Sequence, residues 1–195
     1  MKNEKNQIDN FEIVGGRTLS GTIRTNASKN GSVGLLCASL LNKGQTTLHG
    51  ISRIEEVFRM IEVLLSIGVK VNWIAPHSVE VTTPKKFELG KLNKDSALKT
   101  RSIIMIAGPV IHSLKSFSLP HAQGCKLGKR TISAHMYGLE ELGVKIKVTN
   151  QNYQIRQKKN LTPAEIIMYE SGDTACENLL TAAALIPGKT TIKFA

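Results

Sequence analysis

Apolar and polar positions along this chain fall into one recurring order. Val33 to Leu41 is almost wholly apolar, the pattern of a helix buried on all sides. Thr46 to Gly50 follows as a short strand. Ile54, Val57, Ile61, Leu64 and Leu65 then recur at three- and four-residue steps, predicting an amphipathic helix that Gly68 stops. Ahead of it, Ser52-Arg53-Ile54-Glu55 has the spacing of a capping box. Val69 to Trp73 and Val79 to Thr82 close the unit as a hairpin through Pro76-His77.

The same order then begins again. Leu98 to Ile111 predicts a second apolar helix, Ser116 to Leu119 its strand, and Ser133 to Leu142 an amphipathic helix. Val144 to Val148 and Tyr153 to Arg156 repeat the hairpin. Ile67-Gly68-Val69-Lys70-Val71 and Leu142-Gly143-Val144-Lys145-Ile146 are near-copies 75 residues apart. A third copy starts near Thr174, runs through Leu179 to Leu185, and reaches the strand Thr190 to Phe194. The expectation is a helix, strand, helix and hairpin used twice and begun a third time. Repeat units bury their faces against complete neighbours, so the third unit reads as truncated and the chain as a fragment of something longer. Ala164 to Met168, after Pro163, is open between a helical turn and a strand. Phe11 to Val14 and Leu19 to Arg24, around Gly15-Gly16, predict a hairpin ahead of the first unit.

Composition narrows the function classes. A length of 195 residues suits one large domain or two small ones. No apolar run approaches the roughly 18 residues of a membrane span, and the polar start Met1 to Gln7 has no secretory apolar core. The expected location is cytoplasmic. Cys37, Cys125 and Cys176 show no Cys-x-x-Cys spacing, so neither a disulfide framework nor a metal site is expected. Cys37 and Cys176 fall in apolar helices and read as packing. The net charge of +11 favours anionic partners: nucleic acid, phosphorylated metabolites or an acidic membrane surface. Aromatic residues are only 5% and no RNA-binding aromatic motif occurs, which argues against nucleic acid. Charge alone does not choose the ligand. No oligomeric state follows from the sequence.

Candidate chemistry gathers in Leu119 to Arg130. Cys125 lies between Gly124 and Gly128, and Lys126, Lys129 and Arg130 follow it closely. Those cations favour thiolate over thiol, so Cys125 should titrate below a free cysteine. A reactive lid and a surface turn with a chance cysteine both fit these residues alone. Lys29 and Asn30 open the first helix, where the helix dipole disfavours a cation, which points to an anion there. Arg101 and Arg130 offer planar forks for phosphate or carboxylate, although on residue type alone each reads more readily as a surface arginine.

Taken together, the repeat and the Cys125 loop resemble the enolpyruvyl transferases, over nearly the whole chain but about half the family's usual length. The resemblance is carried by Gly15-Gly16 with Leu19-Ser20-Gly21, Ala27-Ser28-Lys29-Asn30, Thr100-Arg101-Ser102 with Gly108-Pro109, and Gly124 to Arg130. His135, Gly138-Leu139-Glu140, Glu177-Asn178 and Gly188 extend it. It implies an α/β fold of the inside-out barrel type, built from repeated βαβαββ units. Residues 1–27 would be the first hairpin of an otherwise missing catalytic domain, and 28–195 the domain on the sugar-nucleotide side. It also implies transfer of the enolpyruvyl group of phosphoenolpyruvate to the 3′-hydroxyl of UDP-N-acetylglucosamine, the first committed step of peptidoglycan synthesis, without a cofactor. The partners it implies are these phosphorylated small molecules, with no nucleic acid and no membrane. By the same resemblance Cys125 would donate the proton. Lys29, Asn30 and Arg130 would hold phosphoenolpyruvate. Arg101, Arg130, Thr131, Ile132, Ser133 and Ala134 would hold the sugar nucleotide, and Ser133 would cap the helix it opens. Two departures stand out: Gln123 replaces a glycine in a longer loop, and Ser133 replaces an aspartate. The general base would lie in the missing half, so the fragment alone is expected to be inactive. The alternatives are the sister transferase acting on shikimate 3-phosphate, a basic nucleic-acid-binding module, and a non-catalytic scaffold.

Overall fold

A computed structural model describes residues 12–25, 27–121 and 132–195. Cys125, Lys126, Lys129, Arg130 and Thr131 lie outside the described residues.

The first unit runs α1 (Lys29–Ala38), β1 (Gln45–His49), α2 (Glu55–Ser66), β2 (Lys70–Ala75) and β3 (Ser78–Thr82). Its sheet has the order β1-β3-β2, with β3 antiparallel to both neighbours. The second unit opens with α3 (Lys94–Lys99), a 3₁₀ turn (Arg101–Ile106) and α4 (Ala107–Val110). It continues with β4 (Ser116–Pro120), α5 (Ser133–Glu141), β5 (Val144–Val148) and β6 (Asn152–Gln157). Its sheet order, β4-β6-β5, copies the first. The third unit supplies β7 (Glu165–Ile167), α6 (Asp173–Ala183) and β8 (Thr191–Lys193), with β7 parallel to β8. Ala164 to Met168 is therefore built around a strand.

Each sheet turns one face inward. Val79 and Val81 of β3 are buried, as are Tyr153 and Ile155 of β6, while the residues between them are more open. The core lies among the helices: α1, the 3₁₀ turn with α4, and α6 pack on one another. Ile103 to Val110 is buried without interruption, as its apolar run requires. Among the described residues there are three small sheets and no closed barrel, and no helix is long and apolar enough to cross a membrane.

Three expectations are corrected. The helix over Leu98 to Ile111 is broken at Thr100, whose backbone is extended (φ −116°, ψ 123°). Thr100 Oγ1 donates to Glu56 Oε1 at 2.5 Å, a tertiary bond that outweighs local helix preference. Ser52 is not a cap, since α2 starts at Glu55 behind Ile54 without a side-chain cap. Ser52 is buried instead, its amide donating to Ser32 Oγ at 2.9 Å. Residues 12–25 form no hairpin and leave Ile13, Val14, Leu19 and Ile23 exposed. A two-stranded ribbon holds only when its apolar face is covered, and nothing among the described residues covers these side chains.

Candidate active site

The helix starts are drawn together. Ser28 caps α1 by accepting from the Gly31 amide at 3.1 Å, which places Lys29 and Asn30 in its first turn. Lys29 Nζ lies 3.8 Å from Glu56 Oε2, in the first turn of α2. Glu56 Oε1 accepts from Thr100 Oγ1 and, at 2.8 Å, from Ser102 Oγ, so one carboxylate grips both flanks of Arg101. Asn30 Nδ2 donates to Asp173 Oδ2 at 3.4 Å, tying α1 to the first turn of α6. Helix N-termini present unpaired amides and partial positive charge, so their convergence suits an anion.

Behind this rim lies a buried polar hub. Asn178 Oδ1 accepts the Gly108 amide at 2.8 Å, which identifies the other side-chain atom as the donor. Nδ2 donates to Ile104 O at 3.2 Å and to His135 Nδ1 at 3.1 Å. His135 Nδ1 is therefore an acceptor, and the neutral ring carries its proton on Nε2. Burial, with the charge of Arg101 second, pushes the His135 pKa down to about 4. Asn178 thus joins α6 to both halves of the second unit. Gly108 allows the approach, because a Cβ there would lie 2.6 Å from Asn178 Oδ1.

Next to it, Glu177 lies against Gly34 of α1, where an added Cβ would come within 3.0 Å of its carboxyl carbon. Burial, and then the neighbouring Asp173, hold Glu177 above the usual carboxylate range. Its Oε2 is buried without a hydrogen-bond partner among the described residues.

The sequence-derived residues divide as follows. Lys29, Asn30 and Arg101 reach this end of the molecule through Glu56, Asp173 and the Thr100–Ser102 turn. Ile132 occupies the cap position of α5 and Ser133 its first helical residue, so Ser133 is not the N-cap. Ala134 is buried and offers a ligand no more than its backbone. Cys37 and Cys176 are buried as expected, and burial followed by Glu177 pushes the Cys37 thiol up. Glu56 and Asp173 were missed, because first-turn acids ordinarily read as dipole partners. Asn178 had a signal, a polar residue inside an apolar helical run.

A family model described as EPSP synthase (3-phosphoshikimate 1-carboxyvinyltransferase) matches residues 13–194. Curated relatives named UDP-N-acetylglucosamine 1-carboxyvinyltransferase share 26–31% identity with the chain. That of Bradyrhizobium diazoefficiens is 30% identical over 94% of this chain and 42% of its own length. The Sorangium cellulosum protein is 31% identical over 95% of the chain and 43% of its length. The Helicobacter pylori protein is 27% identical over 95% and 44%. The chain thus spans less than half the length of these relatives. Among solved structures, the enolpyruvyl transferase NikO from Streptomyces tendae superposes with a TM-score of 0.71 at 17% identity, over 91% of this chain and 42% of that one. EPSP synthase from Acinetobacter baumannii gives 0.61 at 15%, over 88% and 40%. At these identities the likeness is one of fold.

Proposed function

This chain belongs to the EPSP synthase family, and on that premise we propose that it supplies part of an enzyme transferring enolpyruvate from phosphoenolpyruvate to UDP-N-acetylglucosamine. The 3′-hydroxyl gives its proton to a general base as its oxygen bonds to C2 of phosphoenolpyruvate, and the methylene carbon takes a proton from a thiol. Loss of phosphate, with a proton from that same carbon, then restores the double bond and leaves the enol ether. Cys125 is the proton donor, kept acidic by Lys126, Lys129 and Arg130. Lys29, Asn30 and Arg130 hold phosphoenolpyruvate. Arg101, Arg130, Thr131, Ile132, Ser133 and Ala134 receive the sugar nucleotide. In this reading residues 28–195 form the sugar-nucleotide side of a two-domain cleft, as repeated βαβαββ units of an inside-out barrel, and 1–27 belong to the other domain. The reaction belongs in the cytoplasm, in peptidoglycan synthesis.

The observation that carries the proposal is the meeting of Lys29, Glu56 and the Arg101 turn where several helices begin. The names of the curated relatives support the choice of acceptor. The family model's description favours shikimate 3-phosphate as the second reading. Calorimetric titration with each acceptor separates the two. Saturable binding of UDP-N-acetylglucosamine, weakened at least about tenfold by Arg101→Ala, is expected. Preference for shikimate 3-phosphate, or no binding of either, overturns it. The Cys125 thiol can also add to C2 of phosphoenolpyruvate, its proton going to the methylene carbon, and intact-mass analysis after incubation with phosphoenolpyruvate, with Cys125→Ser as the blank, tests for that adduct.

A further inference from the structure

The two complete units are topological twins, yet their solvent-facing sheets differ in charge. In the second sheet Lys145 pairs with Arg156, and Lys147 with Gln154. The corresponding pairs of the first sheet are Lys70 with Thr82 and Asn72 with Glu80. Three cations and no acid thus replace one cation balanced by one acid. Lys145, Lys147, Gln154 and Arg156 are all exposed, while Ile146, Tyr153 and Ile155 turn inward. Lys115, Lys158 and Lys159 extend the exposed positive border. The ion pairs among the described residues involve none of these six cations. Between Asp95 and Glu165 the only acids are Glu140 and Glu141, on α5. Like charges directly opposed on a sheet cost stability, and the twin sheet folds without them.

We propose that the solvent face of the sheet β4-β6-β5 docks on an anionic phospholipid bilayer. Single-stranded nucleic acids are held by aromatic platforms, and here the sheet's Tyr153 ring is buried on the inner side. Duplex readers insert an element into a groove, whereas this face is three short strands side by side. A flat array of lysine and arginine matches a layer of phosphodiester headgroups, whose attraction falls off within a Debye length.

The test is flotation of the full chain with vesicles. Binding is expected to phosphatidylcholine containing about 30% phosphatidylglycerol and not to phosphatidylcholine alone. It should weaken at least about tenfold between about 50 and 300 mM NaCl. Lys145→Gln/Lys147→Gln/Arg156→Gln should lose at least about tenfold in affinity, whereas Lys70→Gln on the twin sheet should stay within about twofold. Thermal melts check that both variants are folded, and the single Lys147→Gln, expected to weaken binding in part, stands in if the triple variant is not. No binding to the anionic vesicles at low salt overturns the proposal. So does binding indifferent to these substitutions, or tighter binding of a single-stranded RNA through the same residues at equal salt.

Discussion

The side-chain amide of Asn178 donates to Nδ1 of His135 across 3.1 Å, and it has no freedom to turn round. Its oxygen already accepts the Gly108 amide, so the His135 proton is confined to Nε2. Imidazole nitrogen shifts should therefore report a single neutral Nε2–H tautomer at pH 7. An Nδ1–H pattern would contradict the assignment.

The same pair makes stability depend on pH. His135 has a folded pKa of about 4 against 6.5 in the unfolded chain, so acid favours unfolding. Its contribution is full above pH 6.5 and declines as pH falls towards 4, by up to about 3 kcal/mol at roughly 1.4 kcal/mol per unit. His112, half-buried against the Ala182 carbonyl and also shifted down, adds a loss of the same sign. Comparing urea midpoints of wild type and His135→Gln at pH 7, 5.5 and 4.5 isolates the His135 share. Parallel curves would refute it.

Removing the hub has a larger effect. Asn178→Ala takes the side-chain partner from the Gly108 amide and from His135 Nδ1 in the interior, while the Ile104 carbonyl keeps the Ala107 amide. At roughly 1–3 kcal/mol for each unpaired group, partly relieved by water, a loss of about 3–5 kcal/mol is expected in chemical denaturation. A loss under about 1 kcal/mol would mean that the hub is not tight.

Glycines separate by what surrounds them. A methyl at Gly108 meets Asn178 and Thr181, so Gly108→Ala should cost about 3 kcal/mol or more by forcing α4 off α6. Gly90 has nothing within 4 Å and no positive φ, so Gly90→Ala should stay within about 0.5 kcal/mol. Equal effects in thermal melts would overturn the packing argument.

Much of this architecture was legible because it is periodic. The amphipathic spacing of Ile54 to Leu65 gave α2, and the copied pentapeptides at 67 and 142 gave equivalent helix-to-strand turns. What escaped depends on contacts distant in sequence. Thr100 breaks its helix for Glu56, which lies 44 positions earlier, and Ser52 gives up a capping role to meet Ser32, 20 positions earlier. Neither partner is visible in a local window. At the candidate site, Lys29 and Arg101 could be proposed from chemical type, but the carboxylate linking their surroundings could not. The N-terminal hairpin failed for another reason: alternation in Ile13 to Ile23 shows a strand's pattern without supplying a surface to cover it.

Glu56 is where fold and chemistry can be separated. Glu56→Gln keeps an oxygen able to accept from Thr100 and Ser102 but removes the charge facing Lys29. The Lys29 contact is 3.8 Å long and its side chain half-exposed, so losing it should cost less than about 1 kcal/mol. Glu56→Ala removes the acceptor as well, leaving the fully buried Thr100 hydroxyl unpaired, at about 1–3 kcal/mol. If Glu56 sets the Arg101 turn, the Ala variant should also lose affinity for UDP-N-acetylglucosamine by about tenfold while the Gln variant stays within about threefold. Equal affinity losses in the two variants would assign the effect to charge, and unchanged affinity in both would detach Glu56 from the site.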